Sequence, residues 1–439
     1  WDRDFTVPFG PPPIMIRIRG EEKTRVKSLI AALLLACGAL AAHGVEILPK
    51  AGKPEEVGLS SERLARLGRV TQDHVDAGRL PGAVILVARR GRIAYYESFG
   101  FRDRDRGLPM ARDSIFRIYS MTKPITTVAA MMLQEEGRLQ VYDPVSRTLP
   151  ELANMKVGHE RVDAAGRRTY EVIPVQREMT LQDLMRHTSG FTYGTRGTSP
   201  VNAMYLDAKI GSREDSNAEL VAKLSKIPLK YQPGTRWEYG VSTDVLGRVV
   251  EVVSGKRLGD FFEERIFRPL GMVDTAFYLP VDKVSRAAQP WQRPGGPPPT
   301  PRFDVAVQAR YESGGGGLVG TASDYLRFAT MLLNNGKLGN VQLLGRKTVE
   351  YMTADHLGAI PIEAAGLGFG LGFQVRREAG VAGLAGTVGE YGWAGNAGTL
   401  FWIDPKEQLI ALYMIQVSDP DRIALRNQFR TMVIQAIVD

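Results

Sequence analysis

Two apolar stretches near opposite ends of the chain set the terms for its core. PGAVILVARRGRIAYYESFG (81–100) reads as two strands joined by a turn at Arg89-Arg90-Gly91, and TLFWIDP (399–405) and QLIALYMIQV (408–417) give two more. These short runs, rich in β-branched and aromatic residues and bounded by turn formers, fit buried strands. Helical spacing is found instead in SSERLARLGRVTQDHVDAG (60–78), from Met121 to Glu136, and near 421–437. From about 138 to 275 the pattern is one of helices and long loops. Strands at both ends with helices between them predict one sheet assembled from both chain ends, with a helical region inserted. The boundaries that follow are 46–140 with 305–439 for the sheet-bearing part, and 141–304 for the helical part and its loops. The Pro/Gly segment QPWQRPGGPPPTP (289–301) bars regular structure and reads as a surface loop.

Composition narrows function by exclusion. A chain of 439 residues, 44% hydrophobic and 24% charged, is an ordinary globular protein with room for a sizeable core. No fixed-period repeat is visible, which argues against solenoids and propellers. The net charge of +8 comes from 56 basic residues interspersed with 48 acidic ones. No basic run with interleaved aromatics stands out, so no nucleic-acid partner is expected. A single cysteine excludes internal disulfides and Cys-based metal sites. The five histidines (His43, His74, His159, His187, His356) show no HxH or HExxH spacing, so neither a metal nor another cofactor is expected. His187 reads as structural, hydrogen-bonded within a Thr/Ser/Gly turn. Gly314 to Gly317 and the run from Gly366 to Gly370 lack the Gly-Lys-Ser/Thr of a phosphate loop and read as turn glycines.

Residues 28–42, SLIAALLLACGALAA, form an apolar run behind Lys23, Arg25 and Lys27. The run is shorter than the roughly 20 residues of a membrane span. With the small–x–small pattern Ala39-Leu40-Ala41, residues 1–45 read as a leader that exports the chain to the periplasm or beyond. The mature chain would then hold no stable span. Lipid attachment at Cys37 is the alternative, because Leu34-Leu35-Ala36-Cys37 partly matches a lipobox. Residues 1–14 are Pro-rich and read as an extension ahead of a natural start at Met15.

Of all the serines, only Ser120 has a lysine three residues on, in Ser120-Met121-Thr122-Lys123. Strand-like Ile115 to Ile118 precedes it and an apolar helix follows, which sets Ser120 at a helix N-terminus. Unpaired N–H groups there favour a developing anion. A spacing of three puts Lys123 on the face of Ser120, within hydrogen-bond reach. A lysine with a lowered pKa could take the hydroxyl proton, or orient the group that does. No G-x-S-x-G occurs, so a nucleophile elbow with a Ser-His-Asp triad is unsupported.

FRIYSMTKPITTVAAMMLQEEGRLQVYDPV (116–145) resembles the serine β-lactamase and penicillin-recognising family, and is most similar to its class C enzymes and the family VIII carboxylesterases. DLMRHTSGF (183–191), WEYGVSTDVLGRVVE (237–251), SGGGGLVGTASDYLRFATMLLNNG (313–336) and YGWAGNAGTLFWIDP (391–405) follow in the family's order. The resemblance covers roughly residues 55–439. It implies an α+β fold (an α/β sandwich) of the class C β-lactamase/DD-peptidase kind, with an antiparallel sheet flanked by helices and an all-helical insertion. It further implies Ser120 as nucleophile, Lys123 as its partner and Tyr239 as the general base that later protonates the leaving group. A phenol with an ordinary pKa of about 10 needs a nearby cation for that task. The backbone N–H groups of Ser120 and Asn396 would form the oxyanion hole, with Gly395 permitting close approach.

Two departures from the family pattern shape the substrate. Trp393-Ala394-Gly395 stands where β-lactamases and DD-peptidases carry Lys-Thr-Gly, and Val241 replaces the Asn of Tyr-x-Asn. Losing a charge-assisted hydrogen bond to a substrate carboxylate costs about 1.5–3 kcal/mol. Trp393-Ala394-Gly395 is one methyl, that of Ala394, from the Trp-Gly-Gly typical of family VIII esterases. With Tyr119, Val241, Trp393 and Gly395 lining a more apolar site, the expected substrate is a small carboxylic ester with a short or hydrophobic chain. A β-lactamase, DD-peptidase-type or acyltransferase activity on the same machinery is the alternative. A catalytically silent binding protein is the reading from another class.

Overall fold

Arg90 and Gly91, both in the left-handed region (φ 51° and 71°), turn the chain between β1 (Gly82–Arg89) and β2 (Arg92–Asp103). A two-residue turn with both residues at positive φ matches the twist of the strands it joins. The computed structural model describes residues 48–439 apart from 163, 165–167, 294, 296–302, 363 and 418–421. The expected leader, with Cys37, and much of the 289–301 loop lie outside the described residues. Ahead of the hairpin, α1 (Ser61–Asp76) is capped by Ser60, whose side chain accepts from the Arg63 N–H. After it come the short β3 (Leu108–Pro109) and α2 (Thr122–Glu135).

The middle of the chain is less uniform than expected. It is mostly helix and loop, and α3 (Leu181–Met185) and α4 (Ser242–Ser254) belong to it. Yet β4 (Lys156–Val162) and β5 (Arg168–Pro174) pair antiparallel, with Val157 opposite Ile173. The insertion is therefore not all-helical. Thr169, Tyr170, Val172 and Ile173 favour extended backbone, and Val157 is the one residue of β4 described as buried. No apolar stripe of helical period exists there to bury.

In the last third, α5 (Ala322–Leu333) precedes β6 (Leu367–Phe369), β7 (Gln374–Arg376), β8 (Tyr391–Ala394), β9 (Leu400–Asp404), β10 (Leu409–Ile415) and α6 (Arg422–Ile434). The main sheet has the order β6-β7-β8-β9-β10-β1-β2-β3, antiparallel throughout. The two chain ends meet at its centre, where Ala83 pairs with Ile415 and Arg89 with Leu409. The α+β class and the sheet built from both ends are as expected.

Both β1 and β10 are buried along their whole length, which is why they read as unbroken apolar runs rather than alternating ones. One face, with Ala83, Ile85, Val87, Ala411 and Tyr413, packs on Leu64, Leu67 and Val75 of α1 and on Leu425, Phe429 and Val433 of α6. On the other, α5 lies against β10, and its Tyr325 meets Phe401 of β9 at 4.7 Å. Phe429 stacks on Tyr413 (4.6 Å, 15°) and meets Trp402 edge-on at 5.6 Å. Phe429→Ala should cost about 3–5 kcal/mol, as large-to-small core changes do. Urea unfolding would show it as a lower midpoint with little change in slope.

Candidate active site

Residues Phe116–Arg117 pair with Val319–Gly320, which brings the start of α2 beside the glycine-rich 313–317 segment. Ser120 lies in the 3-10 turn Tyr119–Met121 that feeds into α2. Tyr119 just before it has φ 45°, a left-handed conformation that costs a non-glycine residue about 1–3 kcal/mol. The Lys123 Nζ donates to Ser120 Oγ (3.3 Å), Tyr193 Oη (3.1 Å) and the carbonyl of Gly315 (2.7 Å). It also lies 4.6 Å from the centre of the Tyr239 ring. Lys123 is fully buried.

The expected lowering of the Lys123 pKa is not what this environment produces. Burial favours the neutral amine, but the Tyr193 and Tyr239 oxygens and the Asp244 carboxylate outweigh it and hold Lys123 above the ordinary lysine range. It is a fixed cation. Burial likewise pushes the Tyr193 phenol up, against the pull of Lys123, so Tyr193 stays protonated near neutral pH. Tyr193 was not singled out from sequence, although it stands two residues beyond the DLMRHTSGF segment. Asp244 was missed too. From the first turn of α4 it accepts from Tyr311 Oη (2.6 Å), Ser313 Oγ and the Gly315 N–H (3.1 Å). A Cβ at Gly315 would fall 2.3 Å from Asp244 Oδ2, which explains a glycine there.

Tyr239 sits in an aromatic wall. Trp393 Nε1 donates to Tyr239 Oη at 3.3 Å, and their rings are 5.4 Å apart. Trp237 stacks on Tyr239 at 5.9 Å, and Phe369 meets Trp393 edge-on at 5.2 Å. His187 packs against Tyr239 at 4.8 Å, yet neither ring nitrogen has a partner among the described residues. Burial, aided by the charges of Lys123 and Arg196, drives its pKa well below the usual histidine range, so the ring is neutral. Its role is structural as expected, but through ring packing and its backbone carbonyl, which accepts from the Glu238 N–H (2.9 Å), rather than through side-chain hydrogen bonds.

A cavity of about 1180 Å³ opens onto Tyr119, Ser120, Tyr239, Val241, Trp393, Gly395 and Asn396, so every residue expected at the site except buried Lys123 borders it. Val241 ends the loop ahead of α4. At Gly395 a Cβ would lie 2.1 Å from Thr399 Oγ1 and 2.4 Å from the carbonyl of Ile118, so the turn closes on the segment leading to Ser120 only because no side chain is there. The cavity is less apolar than expected. Arg196, Arg376, Arg422, Arg426 and Arg430 also border it, against the acids Asp244 and Glu390. Among the described residues, no group of His, Cys, Asp or Glu could hold a metal, and no helix is long and apolar enough to cross a membrane.

The 187–193 segment that delivers Tyr193 is fixed from behind by Asp183 on α3. This buried carboxylate accepts from Arg177 (2.6 Å), Arg186 (2.9 Å), Thr188 (2.7 Å) and the Thr180 N–H (3.0 Å). Burial alone would raise its pKa, but these bonds outweigh it and hold the carboxyl at about 2, against 3.8 when free. Because the folded pKa is depressed, its stabilisation is complete above the unfolded value and fades as pH falls towards 2. The two values correspond to about 2 kcal/mol at neutral pH. Asp183→Asn should lose about 3–5 kcal/mol at pH 7, since it unpairs two arginines. Below pH 4, acid unfolding should be less steep in the variant than in the parent.

The Ser120 turn, facing an aromatic wall beside an antiparallel sheet, points to a class of protein. The chain matches the family model described as Beta-lactamase over residues 67–432, and it belongs to the β-lactamase family. Esterase EstB of Burkholderia gladioli is 31% identical over 392 residues, covering 83% of this chain and 94% of the relative. Lovastatin esterase of Penicillium rubens is 31% identical over 376 residues, covering 80% and 92%. Among solved structures, EstCE1, described as a hydrolase with promiscuous acyltransferase activity, matches with a TM-score of 0.71 at 27% identity, covering 86% of this chain and 98% of that one. The chain is a serine hydrolase or acyltransferase on the β-lactamase fold.

Proposed function

We propose that the protein is a family VIII-like carboxylesterase that works through an acyl-enzyme on Ser120. The observation that carries this reading is the Lys123 ammonium, which donates to Ser120 Oγ and Tyr193 Oη and lies 4.6 Å from the centre of the Tyr239 ring. In the proposed cycle Tyr239, acting as a phenolate beside Lys123, takes the Ser120 proton. Ser120 Oγ then attacks the ester carbonyl carbon, and charge gathers on the carbonyl oxygen between the N–H groups of Ser120 and Asn396. Lys123 stabilises the phenolic oxygen of Tyr239 meanwhile. Collapse expels the alcohol, which takes its proton from Tyr239. A water molecule repeats the sequence and releases the acid, and an alcohol in its place would give acyl transfer.

Support for an ester comes from Trp393, whose ring nitrogen bonds Tyr239 Oη where β-lactamases and DD-peptidases offer a lysine. EstB and lovastatin esterase, at 31% identity, are both esterases by name. The test is an ester panel read beside nitrocefin on one preparation. Short p-nitrophenyl esters should turn over much faster than nitrocefin, and Ser120→Ala should abolish both activities. Ester cleavage surviving intact in Ser120→Ala would sink the reading. Tyr239→Phe should lower kcat about 10²- to 10⁴-fold, the usual worth of a general base. Tyr193→Phe should lower it far less, and equal losses in the two variants would refute the assignment of the base.

A further inference from the structure

An oxyanion donor is effective only if its N–H is aimed before charge develops. The turn Gly395-Asn396-Ala397-Gly398 has little side chain with which to hold itself. Its backbone closes on itself, the Gly398 N–H donating to the Gly395 carbonyl (3.1 Å), and the Val417 N–H holds the Ala397 carbonyl (2.7 Å). It is held from two further sides. Towards the nucleophile, Gly395 N–H donates to the Thr399 carbonyl (2.8 Å), and Thr399 Oγ1 donates to the carbonyl of Ile118 (3.4 Å), two residues before Ser120. From the opposite end of the chain, Arg426 of α6 donates through Nε to the Gly398 carbonyl (3.0 Å) and through Nη2 to the Gly395 carbonyl.

The second contact bears directly on Asn396. A trans peptide is planar, and its C=O and N–H point to opposite sides. The Gly395 oxygen and the Asn396 N–H belong to one such unit. The guanidinium joins the Gly398 N–H at this oxygen as a second, charged donor, which narrows the rotation of the unit and so the direction of the Asn396 N–H. A cation at the oxygen also polarises the amide and strengthens the N–H as a donor. Arg426 is itself well placed for this. It is largely buried, and it follows Leu425 and precedes Phe429, two of the side chains that lock α6 onto the sheet. Burial and the neighbouring Arg422 lower its pKa to about 10, which leaves it charged at neutral pH.

We propose that Arg426 is a positioning residue of the acyl-transfer centre, fixing and polarising the Gly395–Asn396 peptide so that the Asn396 N–H meets the tetrahedral oxyanion. This rests on the reading of Ser120 as nucleophile and Asn396 as oxyanion donor. Arg426 also borders the cavity, so the competing role is direct contact with a charged substrate.

The two roles separate with a neutral substrate. With p-nitrophenyl butyrate, Arg426→Gln should lower kcat about 10- to 100-fold, somewhat less than removal of an oxyanion donor outright, while KM stays within about threefold. Affinity for phenylboronic acid, which forms a tetrahedral adduct on the serine oxygen, should fall by a similar factor. Arg426→Lys, which keeps the charge but cannot fork across two carbonyls, should recover part of both. Melting by circular dichroism identifies the variants that are folded at the assay temperature, and if Arg426→Gln is not, the lysine variant carries the comparison. Unchanged kcat and boronate affinity in a folded variant, or a loss confined to KM, would overturn the proposal. Ser120→Ala keeps the tests distinct: an active Ser120→Ala removes the catalytic reading itself, whereas an inactive one beside an unaffected Arg426→Gln removes only the role of Arg426.

Discussion

A buried ammonium group dictates the architecture around it. Removing a lysine from water costs several kcal/mol unless its hydrogens find oxygens. Lys123 finds them on three different segments: the Ser120 turn just before it, the 187–193 segment through Tyr193, and the glycine-rich loop through Gly315. Each of these needs support in turn. Asp183 gathers two arginines and two threonines to pin the first residues of the Tyr193 segment. Asp244 ties the glycine loop to α4, close enough that only glycine fits at 315. The charge beside Ser120 is thus also the organising centre for the loops that form the cavity.

The opposite wall answers a different requirement. Trp393 and Gly395 lie on and just past β8, the strand that brings the 395–398 turn to Ile118, and Trp237, Phe369 and Trp393 form an aromatic wall with Tyr239 at the cavity. The arginines of α6 enter from behind this wall. Where the sequence places tryptophan in a family position usually held by lysine, the cavity still carries positive charge, contributed by a helix rather than by the strand.

Much of this was legible in advance, for physical reasons that differ by element. Strands β1 and β10 are unbroken apolar runs because both faces of the sheet are covered there, and that pattern survives in sequence without any structural knowledge. Ser120, Lys123 and Tyr239 could be singled out from local spacing and from motifs in fixed order, and the structure brings the three side by side. Arg426 and Asp183 could not be assigned a role. Their importance arises from backbone carbonyls and arginines reached only after folding, and an arginine on an amphipathic helix looks like any solvated cation. The direction of the Lys123 pKa was misjudged on the same ground, since Asp244 and Tyr193 reach it through tertiary contacts. The β4–β5 hairpin was absorbed into a helical region because it buries so little that its alternation is faint.

The pairing of Ala83 with Ile415 has a temporal side. During synthesis β1 emerges early, apolar on both faces, and can form its hairpin with β2 at once. Its other neighbour, β10, emerges near the end of the chain, as does α6, which covers one face of the sheet. Pairings between such remote segments fold slowly and leave sticky intermediates exposed in the meantime. The sheet can therefore close only when the last strand and α6 have arrived, so the yield of folded chain depends on how long the β1–β2 hairpin stays uncovered as well as on the stability of the finished fold.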